Sequence, residues 1–165
     1  MIMIIIVNIN KLFSYKKKSL KSHEHGVGIL NIAQEDNSLL FEFEIPGFDI
    51  VGFEYKAESD EDIEKVAASL RVLSDFKNML VLPASAECTN TETNANVVND
   101  GKHSEFIAIY RFSCKQLDAL KRVYIKYFNN FKLSKKLNIK IFGNKKKSIY
   151  VIESNKKILN VKNHF

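Results

Sequence analysis

Two cysteines stand at equal distances from one turn signal, and this constrains the chain more than any other feature. Cys88 precedes Gly101 by 13 residues and Cys114 follows it by 13. Asn99-Asp100-Gly101 reads as a tight turn, because glycine accepts the positive φ that a short hairpin needs. A chain folded there brings the two cysteines level. Directly opposite residues of an antiparallel pair lie about 4.5–5.5 Å apart, within reach of a disulfide. A bulge would move them out of step, and residues 90–98 are polar for a strand. Two readings stay open. One is a hairpin closed by a Cys88–Cys114 disulfide, which belongs in an oxidising compartment. The other is a pair of small buried thiols in a reducing one.

The remaining pattern is that of an α+β fold: a mainly antiparallel β-sheet with one amphipathic helix packed on a face. Residues 26–34 are short, apolar and branched, as in a strand. Glu35-Asp36-Asn37-Ser38 supplies a turn. Leu39, Phe41, Phe43 and Ile45 then alternate with Glu42 and Glu44, which is a half-buried strand ended by Pro46-Gly47. Residues 48–55 are apolar but irregular. Ser59 can cap a helix, with Asp62 placed to reach back as in a capping box, and the acids 60–64 suit its positive end better than they suit a metal loop. Ile63, Val66, Ala67, Leu70 and Leu73 recur at helical spacing and predict one buried face. A strand is expected between Pro83 and Cys88. Residues 103–113, with Phe106, Ile107, Ala108, Ile109, Tyr110 and Phe112, read as a central strand. One helical turn follows at 115–121, then strands at 122–128, 137–142, 149–152 and 158–161.

A length of 165 residues predicts one domain, assigned to 23–162. Residues 1–22 open on Met-Ile-Met-Ile-Ile-Ile-Val, with Lys11, Lys16–Lys18 and Lys21 behind it. Secretory signals carry their bases in front of the apolar stretch and end at small residues. The segment therefore reads as a degraded or mis-started signal, an anchor remnant, or a disordered basic tail. No run reaches the ~18 apolar residues of a transmembrane helix, so no stable membrane span is expected.

Charge is uneven: residues 1–21 carry +5, 22–106 carry −12 and 107–165 carry +13. A basic C-terminal half raises the possibility of a binder of anionic polymers or of a membrane surface. Lysine outnumbers arginine 22 to three, however, whereas nucleic-acid sites lean on arginine and interleaved aromatics. In 136–141 the lysines alternate with apolar residues, as on the solvated face of a strand. No nucleic-acid partner is expected.

Among chemistry-bearing residues, histidine stands out. His23 and His25 flank Glu24, and in an extended segment side chains at i and i+2 point the same way, about 6.6 Å apart. Both imidazoles can then converge on one metal, whose bonds to nitrogen are about 2.0–2.1 Å. His103 begins the central strand and Glu105 follows on the same face. If strand 26–34 lies beside strand 103–113, these four side chains complete a tetrahedral Zn2+ site. The plainer reading is a polar flap of surface histidines. His164, beside the C-terminus, is expected to fray. Phosphate loops, paired catalytic carboxylates and a serine elbow are absent, so the chain does not read as an enzyme and no catalytic residue is assigned.

Taken in order, His-Glu-His-Gly-Val-Gly-Ile-Leu-Asn-Ile-Ala (23–33), Gly-Phe-Asp-Ile-Val-Gly-Phe-Glu (47–54), Leu-Pro-Ala-Ser-Ala-Glu-Cys (82–88) and His-Ser-Glu-Phe-Ile-Ala-Ile-Tyr-Arg-Phe-Ser-Cys (103–114) resemble the ZrgA-type zinc-binding periplasmic proteins. The resemblance covers residues 23 to about 160. It implies a secreted protein of Gram-negative bacteria, partnered with zinc-uptake transporter components. It implies zinc ligation by His23, His25 and His103, and strengthens the disulfide reading. Relatives often carry histidine-rich tracts in the hairpin loop. Here 89–102 contain none, which leaves a single site or none in place of high-capacity buffering. The expectation is a periplasmic zinc-binding accessory protein that captures Zn2+ and passes it to a transporter. The alternative is a metal-free interaction module that keeps the fold.

Overall fold

In the computed structural model, which describes residues 24–165, the predicted hairpins assemble into a larger sheet than their local patterns suggest. Strand β1 (Val27–Glu35) turns at Asp36, whose φ is +52°, into β2 (Ser38–Pro46). Leu39, Phe41, Phe43 and Ile45 are all fully buried, as the alternation of apolar and acidic residues requires. Helix α1 (Gly47–Val51) and an irregular segment lead to helix α2 (Asp60–Leu73). Strand β3 (Leu80–Val81) precedes β4 (Cys88–Asn99) and β5 (Ser104–Cys114). There follow β6 (Arg122–Ile125), helix α3 (Tyr127–Asn130), β7 (Lys136–Phe142), β8 (Lys147–Glu153) and β9 (Ile158–Asn160).

Among the described residues six strands form one sheet in the order β4-β5-β2-β1-β7-β8, and β3-β6-β9 form a second, smaller one. Pairing is antiparallel except between β1 and β7, which run parallel. The mainly antiparallel expectation therefore holds in general but misses this long crossover. One face of the large sheet carries Leu30, Phe41, Phe43, Tyr110 and Ile139 into the core, against Leu73 of α2 and Val123, Ile125 and Leu159 of the small sheet. Tyr127 of α3 meets Phe43 there, with ring centroids 5.9 Å apart. The opposite face is polar at its centre: Asn31 donates to Glu42 and Glu44, and Arg111 pairs with Glu35 and Glu92.

Helix α2 begins as its sequence indicates, with Ser59 Oγ accepting from the Asp62 backbone N–H at 3.1 Å. The reciprocal half of the capping box is missing, because the Asp62 carboxylate instead accepts from Tyr55 and faces Lys65. The buried stripe is also narrower than expected. Leu73 is buried and Val66 and Leu70 pack against the core, but Ile63 is 50% exposed. Between Pro83 and Cys88 a single 3-10 turn (Ala84–Ala86) replaces the expected strand.

The Cys88–Cys114 disulfide is present, and the two residues are directly paired across β4 and β5. The bulge that threatened this pairing is what creates it. Asn99 pairs with Ser104, so the hairpin turns about a point just beyond Gly101, and an unbroken ladder would set Thr89 opposite Cys114. The register shifts by one residue between Asn90 and Glu92, which returns Cys88 to Cys114. Asn90 seals the irregularity by donating to the carbonyls of Glu92 and Arg111.

The C-terminus does not fray. His164 is 1% exposed and its Nε2 lies 3.0 Å from Ser148 Oγ. Its carbonyl accepts from the Lys145 N–H at 3.1 Å, and a side chain at Gly143 would overlap that carbonyl. The tail thereby closes over the β7–β8 turn.

Candidate metal centre

One end of the large sheet gathers the start of β1, the end of β2 and the start of β5. Ile29 pairs with Glu44 and Pro46 with Glu105, so the turn carrying His25 and the loop carrying His103 both stand at that end. They are not neighbours, however. β2 lies between β1 and β5, a separation of about 9.6 Å at two strand spacings. The condition that strands 26–34 and 103–113 lie side by side is therefore not met: each pairs with β2 instead, where Phe41 and Phe43 meet apolar neighbours on both sides.

Helix α1 and the segment after it cap this end of the sheet. Pro46 ends β2, and Gly47 admits the close packing that follows, since a Cβ there would overlap Ser104 Oγ and lie 2.9 Å from the Phe53 carbonyl. The helix brings in Asp49, which is 1% exposed. Its Oδ1 accepts from the Gly26 N–H at 2.6 Å and its Oδ2 from Ser134 Oγ at 2.9 Å. Ser134 is in turn hydrogen-bonded to Tyr127 OH. Burial raises the Asp49 pKa, and the Gly26 and Ser134 hydrogen bonds, with the nearby His25, offset part of that rise. Asp49 thus anchors the residue next to His25. Gly26 itself sits at φ +85°, in the region that favours glycine.

His25 is half-exposed and stacks on Phe48 of α1, with ring centroids 4.4 Å apart and planes 9° from parallel. Its Nε2 lies 3.5 Å from Glu54 Oε2. That is long for a charge-assisted hydrogen bond, which is usually about 2.7–2.9 Å. It is close to the roughly 3.4 Å edge between two ligand atoms of a tetrahedral zinc, as bonds of about 2.0–2.1 Å require. The Glu54 side chain is 17% exposed, and its Oε1 is buried with no hydrogen-bond partner among the described residues. A buried carboxylate oxygen left in that state is costly unless a proton or cation reaches it. The Glu54 backbone carbonyl accepts from Asn99 Nδ2 at 3.1 Å, which ties this segment to the β4–β5 hairpin.

The other predicted residues are placed as follows. His103 ends the hairpin loop, its Nδ1 3.8 Å from Asp100 Oδ1, and Asp100 also accepts from the His103 N–H at 2.8 Å. Glu105 is buried on β5, opposite Pro46 and Val98. His23 lies outside the described residues. Among those described, no three His, Cys, Asp or Glu side chains stand close enough to hold a metal together. The structure brings His25 to Glu54 and leaves His103 with Asp100. Sequence reasoning assigned no role to Asp49 or Glu54. Their signal was two acids set in an otherwise apolar run, 48–54, where a solvated charge has no reason to be.

A family model described as ZrgA family zinc uptake protein matches residues 22–161. No curated protein matches the chain.

Proposed function

Because this chain belongs to the ZrgA family of zinc uptake proteins, we propose that it captures Zn2+ at the sheet end that carries His25 and hands it to a transporter component. The observation that carries this reading is the His25–Glu54 pair. Its Nε2 and Oε2 are separated by nearly one edge of a zinc tetrahedron, and the second carboxylate oxygen has no partner among the described residues. His25 and Glu54 form the seed of the site. His23, two residues upstream, and His103, on the hairpin loop at the same end of the sheet, supply the remaining nitrogens, with water replacing either one when zinc is exchanged. Glu54 takes the carboxylate position for which sequence spacing offered Glu105. Phe48 and Asp49 position the imidazole, one by stacking and the other by holding Gly26.

The role is that of an accessory protein rather than an enzyme, acting in the periplasm. The Cys88–Cys114 bridge supports an oxidising compartment, and no helix among the described residues is long and apolar enough to cross a membrane.

Calorimetric titration of Zn2+ into the oxidised chain tests the reading. One zinc per chain is expected. Each of His25→Ala, His103→Ala and Glu54→Gln should weaken it by more than the roughly 10–100-fold typical of losing an outer-sphere partner, and Glu105→Gln should leave it unchanged. Binding should weaken below about pH 6, since imidazole ligates only when neutral. Unchanged affinity after His25→Ala and His103→Ala together would remove the proposal. No binding by the wild type would favour the second reading, an interaction module without metal.

A further inference from the structure

Strand β8 forms one edge of the large sheet and pairs with β7 alone among the described strands. Edge strands normally avoid apolar display, because their free N–H and C=O groups invite pairing with another chain. β8 does the opposite. Ile149 is 77% exposed and Val151 is 58% exposed, both on the face turned away from the core. Lys147 and Glu153 lie on the same face at the two ends of the strand, exposed and in no ion pair among the described residues. The row reads Lys147, Ile149, Val151, Glu153.

That row is self-complementary under a two-fold rotation. If a second β8 lies antiparallel with the axis at Tyr150, Lys147 faces Glu153 of the second copy and Ile149 faces its Val151, each contact occurring twice. Directly opposite residues in an antiparallel pair share a face and touch. A slip of two residues either way sets Lys147 or Glu153 against an apolar side chain. Parallel pairing in register sets lysine beside lysine. Only the Tyr150-centred register matches both charge and apolarity. We propose that β8 is a homodimer interface, joining two six-stranded sheets edge to edge into one of twelve strands. The seven-residue contact is small, which places it among weak, reversible associations. The inference does not depend on the zinc reading.

Sedimentation of the oxidised full chain, with chelator present, tests it between about 10 μM and about 1 mM, the range of such affinities. A reversible monomer–dimer equilibrium is expected. Lys147→Glu turns both Lys–Glu contacts into Glu–Glu, and Glu153→Lys turns both into Lys–Lys, so each variant alone should dimerise about tenfold more weakly. An equimolar mixture of the two restores both attractive contacts and should dimerise as the wild type does, a recovery that a merely structural role for these surface residues would not give. A chain monomeric at the top concentration, a dimer seen only with Zn2+, a dimer indifferent to both substitutions, or no recovery in the mixture would each overturn the proposal.

Discussion

Breaking the Cys88–Cys114 bridge should cost about 3.5 kcal/mol. The figure follows from the 26-residue separation of the two cysteines, since a crosslink removes loop-closure entropy from the unfolded chain by roughly 2.1 + 1.5R ln n cal/mol/K. For a domain of this size a loss of that order lowers Tm by about 7–14 °C. Urea denaturation followed by far-UV circular dichroism measures it on three samples: oxidised wild type, wild type under reductant, and Cys88→Ala/Cys114→Ala. Reduction leaves both sulfurs in place and isolates the crosslink, whereas the double substitution also trims atoms at Cys114, which is 1% exposed. The reduced protein should show a larger denaturant slope as well, because its unfolded state expands. Zinc affinity of the folded Cys88→Ala/Cys114→Ala protein should not change; that variant is the one to titrate, because the freed thiols of the reduced chain would themselves bind Zn2+. The bridge and the His103 loop are at opposite ends of β5, about 33 Å apart at ten strand steps. A loss below about 1 kcal/mol on reduction would refute the loop-entropy reasoning and point to an unfolded hairpin that stays closed without its bridge.

Three further outcomes are expected. Burial raises the Asp49 pKa above the ordinary 3.8, so the folded state holds this proton more tightly than the unfolded one. The stability it contributes is full below about pH 4 and is lost as pH rises through the higher folded value. The urea stability of wild type minus that of Asp49→Asn should therefore shrink as pH rises from about 3.5 to about 6.5, and a widening gap would show that the Gly26 and Ser134 hydrogen bonds outweigh desolvation. Gly47→Ala should cost at least about 1–3 kcal/mol by overlap with Ser104 Oγ. Ser104→Ala should recover part of that cost in the double variant, at little cost alone, because the hydroxyl it removes is buried without a partner among the described residues; equal stability of Gly47→Ala with and without Ser104→Ala would refute the contact. Phe165→Ala should cost about 3 kcal/mol by chemical denaturation, since Phe165 is 4% exposed; an unchanged midpoint would mean that the C-terminal residue does not pack.

The sequence was most legible where a pattern repeats over neighbours. Leu39, Phe41, Phe43 and Ile45 recur at every second position because a strand points successive side chains to opposite faces, and all four are buried. Ser59 caps α2 because an N-terminal N–H without a helical partner takes any nearby acceptor. It was least legible at the candidate site. The structure sets the Glu54 carboxylate beside His25, and nothing local relates residue 25 to residue 54.

Local chemistry by itself thus determined the α+β class and most of the strands, which follow from side-chain alternation and turn residues. The count along the hairpin left the Cys88–Cys114 bridge as one of two open readings. Tertiary structure alone decided the parallel pairing of β1 with β7, the insertion of β2 between the histidine-bearing ends, and the bulge that sets Cys88 opposite Cys114. It also turned an apparently frayed His164 into the seal of the β7–β8 turn. The physical reason is that these arrangements depend on which apolar faces remain uncovered once the hairpins have formed. Residues more than a hundred positions apart compete for those faces, and no short window of sequence records the outcome.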